Sequence, residues 1–375
     1  MLKNFVLTLL VGPAVPVPAP KSVIEALTAV QVNSGIDRSG FQLSFSLSKN
    51  SPIMKTMLPA GYFDPIVTRV MIIATVGGIP NVLADGIVTR QELVPSNEPG
   101  QTTLTITGED LSVLMDIVDM NFMRFPAMPD FARVALILAK YLALGIVPIV
   151  IPPIFTDVPV PTKEVPSQTG TDRAYVKQLA SQNGYIFYVE PGPAPGVNIA
   201  YWGPDVRIPV PQPALTINMD AQTNIENLSF TLDGLAKKVL VLFIMDPITG
   251  KIPIPIPIPN VSILKPPLGA RLTPPAKVQF ATDTTKLDGL KAVARALGST
   301  AQATDAITGS GSLNVLRYGR ILKSRQMVGV RGAGLAYDGF YYVNSVTHNI
   351  KRGEYKQSFT LSRDGLISNT PRVPV

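Results

Sequence analysis

The chain has no cysteine, one histidine, one tryptophan and little charge. Without cysteine it can make no disulfide, thiolate nucleophile or thiolate metal site. Composition therefore carries no mark of a redox compartment. With His348 as its single histidine, two-histidine metal motifs and most zinc sites are excluded. Charged residues are 16% of the 375 residues and hydrophobic ones 46%. That charge fraction is low for a free soluble monomer and points to a surface covered by partners. Long apolar runs are also missing. Residues 135–154 come nearest to a membrane span, but Lys140, Pro148, Pro152 and Pro153 interrupt them. No stable membrane insertion is expected.

What is present begins with 36 prolines, gathered in clusters that mark surface excursions. The net charge of +7 permits contact with a polyanion, but Lys and Arg are scattered, so specific nucleic-acid recognition is not expected. The length suits two or three domains. At the start, Lys3 and the apolar residues 5–11 read equally as a signal-like segment or as a first strand.

Alternation organises the rest. Residues 41–48 place apolar side chains on one face and polar ones on the other. Residues 68–76 and 79–89, separated by Gly77-Gly78, predict a hairpin, and residues 101–107 a further strand before a short helix at 108–116. Pro129-Asp130 opens a second helix. Thr169 or Thr171 caps a third, over 172–182, which Gly184 ends; strands at 185–189 and 197–202 follow. Strands return at 225–232 and 238–245. The run Ile252 to Pro259 alternates Ile and Pro. It cannot join a sheet interior, because each Pro removes a donor. It suits an extended arm carrying Ile252, Ile254, Ile256 and Ile258, docked either on a partner or on its own domain. Residues 285–297 read as a helix. Near the end, Tyr341, Val343 and Ser345 alternate with their neighbours, Lys351-Arg352-Gly353 turns, and Tyr355, Gln357, Phe359 and Leu361 alternate again.

The expected class is α+β, mainly β: two small antiparallel β-barrel domains with an α/β insertion and a Pro-rich insertion. Residues 1–120 form the first barrel and 121–205 the α/β insertion. Residues 206–250 begin the second barrel, 251–305 form the Pro-rich and helical insertion, and 306–375 complete the barrel.

Candidate chemistry is sparse. His348 lies on a predicted strand with no carboxylate pair near it, which favours a structural hydrogen bond. Asp116 and Asp119 share a helical spacing without sugar-binding aromatics around them, so a solvated helix end is expected. The run from Gly329 to Gly334 lacks a following helix and reads as a turn. Trp202 is expected to anchor the α/β insertion. No catalytic, metal or cofactor-binding residue is assigned, and no enzyme activity is expected.

The terminal order has a familiar form. A DG turn, an aromatic pair, V-x-x-V-x-H, a basic Gly turn, Y-x-x-x-F-x-L-x-R and a second DG occupy residues 338–365. This resembles the end of baseplate hub proteins of contractile phage tails, the late-control-D-type hubs. These are similar to the hub part of type VI secretion valine-glycine-repeat spike proteins. ITGED at 106–110 and DRAYVKQLASQNGYIFYVEPG at 172–192 resemble further parts of the same hubs. The resemblance implies a homotrimer whose subunits each supply two similar barrels. That pseudo-sixfold ring would join a hexameric tail tube protein above to a trimeric spike protein below. Wedge or other baseplate proteins and a tape-measure protein are further implied partners, and a virion tail or phage-tail-like particle the implied location. No spike helix, lysozyme-like segment or valine-glycine repeat follows the second barrel, so the spike is expected to be a separate protein. A secreted or surface carbohydrate-binding β-protein is the alternative, and a cell-wall hydrolase is disfavoured by the poverty of catalytic residues.

Overall fold

The computed structural model describes residues 5–35, 39–98, 100–153, 156, 158–162, 165–207, 211–245, 253–258, 266–280, 305–370 and 373. Ile252 and the helix expected at 285–297 lie outside the described residues.

The alternating runs of the first part become β1 (Phe5–Pro13), β2 (Val17–Pro18), β3 (Leu27–Gly35), β4 (Ser39–Leu47), β5 (Thr68–Val76), β6 (Ile79–Val94) and β7 (Thr102–Asp110), with a short helix α1 (Lys21–Ala26) before β3. The apolar start of the chain is thus a strand, paired along its length with β5. In β4, Phe41, Leu43, Phe45 and Leu47 are buried while Gln42 and Ser46 face solvent. Gly108 to Asp110 complete β7 rather than open a helix. A 3-10 helix (Leu111–Asp116) follows, and the Asp110 carboxylate caps it by accepting from the Ser112 N–H at 2.9 Å.

The middle part comprises α2 (Asp130–Ala139), β8 (Ile146–Val150), α3 (Asp172–Gln182), β9 (Tyr185–Pro191) and β10 (Asn198–Pro204). Thr171 caps α3, its hydroxyl accepting from the Ala174 N–H at 3.2 Å. The strands lie in the order β8-β10-β9, with β8 parallel to β10. Trp202, Phe187 and Val189 meet Val176, Leu179 and Val134 of the helices. Ile87, Leu111 and Met115 of the first part enter the same core, which fixes this part to the sheet below.

The last part supplies β11 (Gln212–Thr216), β12 (Ile225–Leu232), β13 (Lys238–Met245), β14 (Pro253–Ile258), β15 (Gly269–Leu272), β16 (Lys277–Phe280), β17 (Ile307–Asn314), β18 (Met327–Arg331), β19 (Gly339–Lys351), β20 (Glu354–Arg363) and β21 (Gly365–Ser368). The terminal hairpin closes where the alternation predicts, with Lys351 opposite Glu354.

Among the described residues the fold is mainly β and the strands do not close into barrels. Instead β12-β17-β20-β19-β3-β4-β7-β6-β5-β1-β2 run side by side in a 13-stranded sheet, and β18 and β11 branch from β19. The cause is the pairing of β3 residues 29–35 with β19 residues 345–351. It takes the strand edges that separate closure would need and joins the two halves with them. One apolar core follows, in which Leu43, Ile72 and Leu104 of the first half share a cluster with Tyr341, Tyr355 and Leu361 of the second.

The Ile-Pro run is extended, but it is the edge strand of a second sheet, β14-β13-β16. Backbone N–H groups alternate sides along a strand, so prolines at every second position strip donors from one side only. Pro253, Pro255 and Pro257 leave the intervening isoleucines to pair with β13.

Candidate functional site

The polar residues singled out in the sequence make structural hydrogen bonds. Among the described residues, no group of three or more His, Cys, Asp or Glu side chains could hold a metal ion. His348 is buried, and its Nδ1 lies 2.7 Å from the Tyr355 hydroxyl and 3.4 Å from Gln357 Nε2. The Gln357 oxygen accepts from the Leu322 N–H at 3.0 Å, so the group facing the histidine is its NH2, which can only donate, and Nδ1 accepts. Burial lowers the histidine to a pKa of about 4 and keeps it neutral. Asp116 is the exposed last residue of the 3-10 helix, as expected, but it is not idle. Its carboxylate accepts from the Thr171 hydroxyl at 2.7 Å and from Arg173 at 3.0 Å, tying the 3-10 helix to α3. Asp119 forms a backbone bridge with Thr171. Gly329 to Arg331 belong to β18, and the turn begins at Gly332, whose φ is +86°. Trp202 is fully buried, its indole N–H donating to the Val176 carbonyl at 3.3 Å, so it offers no platform to a sugar.

The feature that remains is a surface. On the side of the large sheet away from the core, the register aligns Asn227, Ser312, Ser358, Thr347 and Asn33 in one row. A neighbouring row carries Asn314, Lys356, Asn349, Gln31, Gln42 and Thr107. Both rows cross the β19–β3 junction without interruption. Cross-strand hydrogen bonds tie the face together: Ser345 with Thr360 at 2.7 Å, Ser229 with Ser310 at 2.9 Å, and the Asn227 amide to Ser312 at 2.8 Å. Lys356 is held between Glu226 at 3.2 Å and Glu354 at 3.3 Å. The face is therefore polar and hydrogen-bonding, with its charges paired around Lys356. It has neither an apolar anchor nor a cluster of like charges.

Arg325 fixes the geometry behind this face. It occupies the left-handed region at φ +59°, with its guanidinium 4.1 Å over the Tyr188 ring. Nη1 donates to Glu190 at 3.1 Å and Nη2 to the Gly35 carbonyl. One side chain thereby touches the end of β3, the β9 strand and the segment before β18. A cavity of about 350 Å³ lies at this three-way junction, lined in part by Asn81, Glu190, Lys323 and Arg325. Burial raises the Glu190 carboxyl above the usual range, and Arg325 offsets only part of that rise. Sequence reading gave neither residue a role: Glu190 lies near the end of the 172–192 segment without being singled out, and Arg325 lies outside every motif. The remaining clue was a pair of lone charges beside predicted strands.

No protein-family model matches the chain. No curated protein matches it either. Solved structures do. The tail protein from Neisseria meningitidis MC58 superposes with a TM-score of 0.63 at 12% identity, over 96% of this chain and 98% of that one. The chain shares the fold of that tail protein. The 43 kDa tail protein of prophage MuSo2 from Shewanella oneidensis is similar over 96% of this chain and 100% of its own, with a TM-score of 0.57 and 13% identity. A chain of the Francisella PdpA-VgrG complex matches 99% of this chain with a TM-score of 0.58 and 9% identity. There the match spans only 55% of the Francisella chain. The tail-protein fold thus covers all three parts of the present chain, with the terminal hairpin and the β9–β10 hairpin within it.

Proposed function

We propose that the chain is the structural hub of a contractile tail or related injection system. It forms a trimeric, pseudo-sixfold ring that joins the hexameric tail tube to the trimeric spike, in the baseplate of a virion or phage-tail-like particle. The observation that carries this reading is the β3–β19 junction, which fuses two sheet-rich halves under one polar face rich in hydroxyls and amides. Two such halves per subunit give three copies six comparable tiles, and a closed ring leaves few sheet edges exposed. A face of hydroxyls and amides suits the wall of a passage, where a moving polymer must not be held. Tube and spike proteins are the principal partners, with wedge and tape-measure proteins beside them. Ile252, Ile254, Ile256 and Ile258 form a contact strip toward a neighbouring subunit or baseplate protein. Catalysis has no part in this role.

The test is mass and company. The purified protein, expressed with its tube and spike proteins, is expected to run as a trimer bound to both. A monomer that ignores both proteins overturns the reading.

A further inference from the structure

The first half of the sheet ends in an open edge. β2 covers β1 only at Leu10 and Val11, and the Ala19 N–H bonds the Leu9 carbonyl at 2.9 Å. Alternate residues of a strand turn their N–H and C=O groups to the same side. Phe5 and Leu7, in phase with Leu9, therefore direct theirs outward, where no strand pairs with them among the described residues. Beside this edge opens a groove of about 450 Å³, its floor including Leu7, Leu27, Val30 and Ile350 and its rim Lys351 and Arg352. The far end is bridged by Phe5 against the Tyr355 ring at 5.4 Å. The groove offers room for one more strand, apolar beneath, with Lys351 and Arg352 at a rim they share with Glu25 of α1.

A second open edge matches it. β5 covers β6 only as far as Ile87, while β7 follows the opposite side of β6 out to Val94. Residues 89–94 thus keep one side without a strand among the described residues. Leu93 stands opposite the buried Leu104, on the apolar face, yet remains 37% exposed. The projecting arm carries Glu98, exposed, and Glu92, which is paired with Arg90 at 2.9 Å.

We propose that the β6–β7 arm of a second copy enters this slot and adds its free edge to β1. Leu93 then extends the apolar floor, and Glu98 of the arm approaches Lys351 and Arg352. This is strand addition between copies, with backbone bonds supplying affinity and the apolar floor supplying register. Donor and acceptor are different surfaces, so the contact is head-to-tail and propagates until a ring closes. The assignment rests on the ring reading given above and names the surfaces that make the ring.

Because the chain has no cysteine, thiols can be placed at will. Val6 and Val94 are 59% and 53% exposed on the edges in question. The full-length chain carrying Val6→Cys is mixed with the chain carrying Val94→Cys, and a short bifunctional thiol crosslinker is added. A crosslinked dimer is expected from this pair, and none when Val6→Cys is paired with Leu335→Cys. Glu98→Lys is expected to cut the yield about tenfold, and Lys351→Glu in the other chain to restore it. An assembly of the right mass that gives no Val6–Val94 crosslink overturns the slot and leaves the ring standing. A monomer overturns both.

Discussion

Arg69 and Asp85 face each other across β5 and β6 as a two-pronged pair, Nε to Oδ1 and Nη2 to Oδ2, both at 2.7 Å. The Asp85 side chain is fully buried and the Arg69 side chain nearly so. Around them, Asn198 of β10 donates to Asp85 at 2.8 Å, and Arg69 donates to the carbonyls of Leu144 and Gly196. The pair thus couples the large sheet to the α/β part. Removing one partner strands a buried charge. Arg69→Met is expected to cost about 3–5 kcal/mol, and the double variant Arg69→Met/Asp85→Leu to recover most of that loss. Urea unfolding midpoints of the two variants check it.

His348 gives the fold a pH limit. Its folded pKa of about 4 lies below the ordinary value of 6.5. In this window the unfolded chain binds the extra proton, so stability is complete above pH 6.5 and declines as pH falls toward 4. The full loss is about 3 kcal/mol, from 1.36 kcal/mol per pKa unit. His348→Gln is expected to shrink the difference in unfolding midpoint between pH 7 and pH 4.5. An unchanged difference would show that other groups set the acid limit.

Arg325 combines a cost with a gain. Its left-handed backbone is unfavourable for any residue with a Cβ, while its side chain holds Glu190, Tyr188 and Gly35. Arg325→Ala loses the contacts and keeps the strain; Arg325→Gly loses the contacts and relieves it. The alanine variant is expected to be less stable than the glycine variant by about 1 kcal/mol. Both are expected to raise amide exchange in β9 and at the end of β3, measured by hydrogen–deuterium exchange.

The prolines of β14 protect an edge. Replacing Pro253, Pro255 and Pro257 by Thr keeps an extended strand but restores donors on the unpaired side. The triple variant is expected to self-associate at concentrations where the parent does not, as read by light scattering, with its far-ultraviolet circular dichroism unchanged.

Much of the local structure was legible because its causes are local. The β19–β20 hairpin follows from two alternating runs and a Gly turn, and α3 from the Thr171 cap. Gly108, within ITGED, sits where an added Cβ would come within 2.2 Å of the Phe41 ring, which is why that strand carries a glycine. The β3–β19 junction was not legible. Pairing between residues 29–35 and 345–351 leaves no trace in either segment alone, and β3 passed without assignment. Arg69 illustrates a signal that was present but unread. A lone charge inside the β-branched run 68–76 implies a buried partner, and Asp85 in the next strand is that partner.

The junction also dictates when the protein can exist. β3 emerges from the ribosome early, yet its pairing edge waits for a segment about 310 residues later in the chain. Contacts this distant in sequence form slowly, because loop closure must precede any reward. During synthesis the first strands therefore stand with an apolar face and a bare edge, a state prone to aggregation. Production of this protein should depend on holding chaperones, and truncation before residue 345 should yield insoluble chains rather than a folded half.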